Sequence, residues 1–170
     1  MSGSAVASLS DLRLAVSQVQ QASIPTLHIS VKNTNTEVPF TVLTWNSPLD
    51  ELLVQLGLAS IILPGSAVPL DIPTIMIKRR MPPSEDSLVT LEPGEEVTRT
   101  VELGERFVSP EQWKGDGSGG PGKVQLKGRW NSVWPGVRKE ELLGTNRLTG
   151  NSENGALSGD FESGTLEINV

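Results

Sequence analysis

A chain of 170 residues is long enough for one domain to bury its own core, and the absence of cysteine rules out disulfide staples and thiolate metal sites. A formal net charge of -6 and a pI near 4.8 argue against nucleic acid, whose phosphates call for a basic surface that releases counterions. No stretch approaches the roughly 20 apolar residues of a membrane span.

The amino terminus has no basic n-region, and Asp11 and Arg13 interrupt its only apolar candidate. A cytoplasmic chain is therefore expected, or a secreted one if the sequence is trimmed from a longer precursor. Residues 1–24, with Leu9, Leu12, Leu14, Val16 and Val19, read as an N-terminal tail or a short helix. From Thr26 the texture changes. Leu27, Ile29 and Val31 alternate with His28, Ser30 and Lys32, the period of a half-buried strand.

Asn33-Thr34-Asn35-Thr36 supplies turn residues, and Val38 to Trp45 reads as a second strand buried on both faces near its end. Pro48 lacks a backbone donor and biases Ser47 away from helical angles, so that strand must stop by Asn46 or Ser47. The segment Thr41 to Leu53 then reads as strand, turn and strand. Ile61-Ile62-Leu63 and Ile75 to Arg79 read as further strands, with edge segments around Pro69 and Pro73 between them. The basic run Lys78-Arg79-Arg80 reads as a solvated strand end. Leu88 to Leu91, Val97 to Leu103, Lys123 to Trp134 and Gly164 to Val170 complete the strands. Arg99 falls on an apolar side and must reach solvent or a partner. Flexible loops are expected near 114–122 and 144–159.

Strands at roughly ten-residue spacing, with no helical crossovers, give an all-β fold: an antiparallel β-sandwich of immunoglobulin-like kind, with residues 25–170 as a single domain.

The chemistry is sparse. His28 is the sole histidine, with no second imidazole to share zinc, no H-E-x-x-H and no G-x-S-x-G elbow. The glycine-rich run from Gly115 lacks phosphate-loop spacing, and Glu85-Asp86 and Glu95-Glu96 sit in turns beside proline. No catalytic residue, metal site or cofactor is expected, and the chain reads as no enzyme. Arg129, Trp130 and Trp134 form the one binding candidate, able to stack sugars or anchor a partner if exposed. Four residues apart on a strand, both tryptophans share a face, and core packing is the preferred alternative.

L-T-W-N-S-P-L-D-E (Leu43 to Glu51), I-K-R-R-M-P-P-S-E-D-S-L-V-T-L-E-P-G-E-E-V (Ile77 to Val97) and T-V-E-L-G-E-R-F (Thr100 to Phe107) resemble the amino-terminal pro-region of fungal deuterolysin-type metalloproteases. The resemblance covers Leu27 to Phe107, with a weaker piece at Val124 to Gly128. It implies a small β-sandwich that assists folding of the protease and keeps it silent. The zinc motif and cysteines are missing here, so protease activity is not carried over. The expected function is a non-catalytic protein-interaction domain, inhibitory or chaperone-like toward a protease, whose partner is another protein rather than nucleic acid or membrane. The alternative is a glycan-binding module.

Overall fold

Leu27, Ile29 and Val31 are completely buried, and they define β2 (Thr26–Asn33) as the middle of a three-stranded antiparallel sheet. The computed structural model describes residues 7–20, 23–79, 83–115, 120–143 and 156–169. On one side of β2 runs β1 (Leu12–Gln18), in register from Leu12 opposite Asn33 to Gln18 opposite Leu27. This corrects the reading of residues 1–24 as a tail or short helix where the chain is described: among the described residues a 3-10 turn, Leu9–Asp11, leads directly into the strand. Leu12, Leu14 and Val16 fit period 2, and pairing with β2 decides between the two patterns.

The second sheet is built around β7 (Gly122–Pro135). Its first half lies between β4 (Ala59–Ile62) and β9 (Leu166–Ile168), since Val124 pairs with both Ile61 and Leu166. Its second half lies between β3 (Phe40–Leu43) and β8 (Leu157–Glu162), since Val133 pairs with both Val42 and Leu157. Outside β3 comes β5 (Leu88–Leu91), while β6 (Glu96–Glu102) pairs with β2 and ends the first sheet. The main core gathers Leu27, Ile29 and Val31 with Phe40, Ile61, Leu126 and Trp130, so the two sheets face each other across it.

Both faces of β3 are buried, since all four of its residues are inaccessible or nearly so. Phe40 and Val42 enter the main core, while Leu43 joins Leu88, Trp134 and Leu142 in a second cluster. Between them Thr41 is satisfied on that second face, its hydroxyl meeting Thr90 Oγ1 at 2.9 Å and donating to the Val137 carbonyl at 2.8 Å. The polar turn after β2 behaves as its residue types require. Asn33 Nδ2 donates to the Val38 and Leu91 carbonyls, and Asn35 Oδ1 accepts from the amides of Glu37 and Val38.

Two short helices complete the described elements: α1 (Pro110–Lys114) and α2 (Lys139–Leu142). A capping box starts α1, with Gln112 N donating to Ser109 Oγ and Ser109 N to Gln112 Oε1. The glycine-rich loop is described only at its ends, and of 144–159 only the last residues are described, where β8 already begins at Leu157.

Candidate functional site

Trp130 and Trp134 are 3% and 1% exposed, so neither can stack on a sugar or reach a partner. They do not share a face either. Between Trp130 and Val133 the pairing of β7 with β8 shifts register, so Trp130 and Val133 both enter the main core and Trp134 turns into the second cluster. Trp130 packs at 5.5 Å against the ring of Phe161, and Trp134 Nε1 is buried without a hydrogen-bond partner. Arg129 stays outside, near Asp160 at 3.9 Å and Ser158 at 3.3 Å. The three predicted binding residues thus divide between two cores and the surface. His28 lies opposite Ser17 and Thr100 in the three-stranded sheet, and among the described residues no three of His, Cys, Asp and Glu stand together as a metal site.

The residues that do converge follow β3. Past Leu43 the chain does not resume as a strand; residues 47–57 form a succession of turns, so the second half of the strand-turn-strand reading is corrected. Asn46 adopts φ 59°, the left-handed region that asparagine tolerates better than most residues. Ser47 Oγ donates to the Thr44 carbonyl and accepts from Leu49 N, and Ser47 N also closes onto Thr44. Asp50, almost fully buried, then serves as the hub. Its Oδ2 accepts from Asn46 N at 2.7 Å and from Arg79 Nη2 at 2.7 Å, while its Oδ1 accepts from Leu52 N at 2.9 Å. The Arg79 guanidinium lies 5.4 Å from the centre of the Trp45 ring, whose Nε1 donates to Ser87 Oγ.

This hub pins a second irregular segment. Ile75 to Arg79 is not a strand: among the described residues it joins no ladder, and its recorded ties are Ile75 N to the Gln55 carbonyl and Arg79 to Asp50. Arg79 is accordingly no solvated strand end. The stretch 64–79 is held at Leu70 by the Ile61 carbonyl, at Ile75 and at Arg79, and between these points Val68, Ile75 and Met76 are exposed at 66%, 45% and 101%. Two clefts of about 310 and 250 Å³ flank the hub, and Arg99 of β6 lines both. Its Nη1 donates to the Thr98 carbonyl, and its guanidinium makes no ion pair among the described residues.

The sandwich of two antiparallel sheets agrees with a family model for an immunoglobulin-like domain, which matches residues 11–170. The chain belongs to the immunoglobulin-like domain family. A relative from the fungus Arthroderma benhamiae, described as an uncharacterised secreted protein, is 34% identical over 156 residues, covering 91% of this chain and 74% of the relative. That description conflicts with the cytoplasmic expectation, which is corrected here. Neither match links this immunoglobulin-like domain to deuterolysin pro-regions.

Of the hub, sequence reasoning found the Asn-Ser-Pro turn but missed Asp50 and Arg79. The run Asn46 to Asp50 carried a local signal, a carboxylate placed to cap a turn. Nothing in one sequence pairs it with an arginine twenty-nine positions later.

Proposed function

We propose that this immunoglobulin-like domain is a non-catalytic protein-binding module that acts outside the cell, with the segment 64–79 as its contact surface. One observation carries the reading: of the four large hydrophobic side chains exposed among the described residues, Val68, Ile75 and Met76 lie on this one segment. Exposed apolar side chains grouped on a segment held at several points resemble a contact patch, whereas single ones scattered over a surface need no explanation. The ion pair of buried Asp50 with partly buried Arg79 and the Ile75–Gln55 hydrogen bond limit the freedom the segment would lose on binding. The extracellular setting is supported by the secreted relative. A protease as partner is the narrower form of this reading and is supported by the deuterolysin resemblance alone.

The test compares the wild-type chain with a V68S/I75S/M76S variant, each immobilised and exposed to culture fluid of the source organism. A protein retained by the wild type should be lost at least tenfold by the variant, since each buried apolar side chain contributes roughly 1.5 kcal/mol or more. The variant should melt within about 5 °C of the wild type, because Met76 is fully exposed and Val68 and Ile75 are only partly buried. Equal retention by both chains would remove the segment from the function.

A further inference from the structure

We propose that a cleft lined by the connection before β2, the turn after Leu103 and the helix α1 binds a small amphiphile with an aliphatic body and a carboxylate head. The cleft encloses about 500 Å³, within the roughly 300–1,000 Å³ of small-molecule sites. Its floor is apolar and rigid: Leu103 and Val108 are almost fully buried, and Trp113 lies beside them with its Nε1 donating to the Leu103 carbonyl at 3.0 Å. That bond satisfies the polar end of the indole. Gly122 fixes the ring's position, because a Cβ there would stand 2.8 Å from Trp113 Cζ3.

Three separate pieces of chain form the walls, and each is tied down. Ile24 and Pro25 belong to the connection before β2, which is joined to the opposite wall where Leu103 N donates to the Pro25 carbonyl at 2.8 Å. The turn after Leu103 closes on itself, Phe107 N and Val108 N both donating to the Gly104 carbonyl, and runs into the capped helix α1. Asn169, at the rim, exchanges two hydrogen bonds with the Gln18 side chain of β1, at 2.6 and 2.8 Å. A cleft whose walls are fastened in this way exists before the ligand arrives, so little ordering entropy opposes binding.

Ile24 stays 37% exposed at the mouth, although it is a large aliphatic residue. Two charges line the cleft as well, Lys114 and Glu105. The Lys114 stem prolongs the apolar lining and carries an ammonium with no carboxylate within 4.0 Å among the described residues. Glu105 offers a shorter stem and less apolar surface. An aliphatic chain against Ile24, Leu103 and Trp113 with its carboxylate at Lys114 uses both features together.

Calorimetric titration of the full chain with laurate, 1-dodecanol and dodecylamine tests this assignment, and it is independent of the protein-binding surface on 64–79. Saturable one-to-one laurate binding is expected, about fivefold tighter than dodecanol, the ratio expected of one exposed ion pair. K114Q should bring laurate down to the dodecanol level and leave dodecanol within twofold. I24D, a change at an exposed position, should weaken laurate and dodecanol at least tenfold, with an unaltered melting curve showing that the fold is intact. Absence of saturable laurate binding would overturn the proposal. So would dodecylamine binding more tightly than laurate, or wild-type laurate affinity in both variants.

Discussion

The strand β2 with its two neighbours and the connection 44–79 are both rich in leucine, isoleucine and valine, yet they are held in opposite ways. Around β2 every residue from Leu27 to Lys32 has a partner on each side, in β1 and in β6. Side-chain alternation and backbone pairing there state the same structure twice. The connection contains only the four-residue β4 as a ladder element; the rest is fixed by side chains bonding backbone, with Asp50 as the hub. Ladder-held structure does not depend on any one side-chain hydrogen bond. Hub-held structure hangs on a few atoms.

The largest blow should come from the main core on which the β2 sheet packs rather than from its hydrogen bonds. Trp130→Ala deletes a 3%-exposed indole and its contact with Phe161, and is expected to cost about 3–5 kcal/mol. Chemical denaturation measures it. A loss under 1 kcal/mol would mean that the ring is not packed as described and would reopen the surface reading of Arg129, Trp130 and Trp134.

Asp50→Asn should come next, at about 2–3 kcal/mol, because Arg79 is left without its carboxylate and the amide can satisfy fewer donors. What matters more is where the damage falls. Amide exchange should accelerate across the segment 64–79 and the turns after Asn46, while amides of β2 keep their protection. Uniform acceleration through both regions would show that the hub is no separate unit.

This contrast also explains how much was legible beforehand. Strands β2, β3, β5 and β6, most of β7 and β9 could be read from alternation and proline or glycine punctuation, since each keeps an apolar face toward a core. Ile75-Met76-Ile77 has the composition of a strand but joins no ladder among the described residues, and composition carries no information about partners. α1 was missed although Ser109-Pro110-Glu111-Gln112 spells a capping box with proline in the first turn; five residues are too few for an apolar period. The shared face assumed for Trp130 and Trp134 failed on one bulge, which shifts every later residue of β7 to the other side. The hub was illegible for a different reason: a pair of opposite charges twenty-nine residues apart has no periodicity at all.

A smaller change sharpens the comparison within the hub itself. Asn46, at φ 59°, donates its amide to Asp50. Asn46→Gly relieves the backbone restriction and should change stability by no more than about 0.5 kcal/mol, whereas Asn46→Val should cost about 1–2 kcal/mol because a branched Cβ is crowded in the left-handed region. Similar values for the two variants would show that the left-handed turn is not needed to bring Asp50 into place.

The smallest effect is expected at the other well-formed ion pair, where Arg138 donates to both carboxylate oxygens of Glu92 at 2.7 and 2.9 Å. The geometry rivals that of Arg79 with Asp50, but both side chains are about half exposed. The hydrogen bond from Arg138 holds the Glu92 carboxyl below its ordinary 4.5, and the same bond raises the pKa of the guanidinium. A lowered carboxylate pKa stabilises the fold above about pH 4.5 and loses that contribution as the pH falls through the folded value, while the raised arginine contributes at every pH below its ordinary value. Water competes for both groups, so Arg138→Gln should leave the melting temperature at pH 7 nearly unchanged while Glu92 titrates at higher pH, as carbon-13 NMR of its carboxyl would show. A large loss of stability in this variant would mean that ion-pair geometry alone, and not burial, gives the Asp50–Arg79 hub its hold on the segment 64–79.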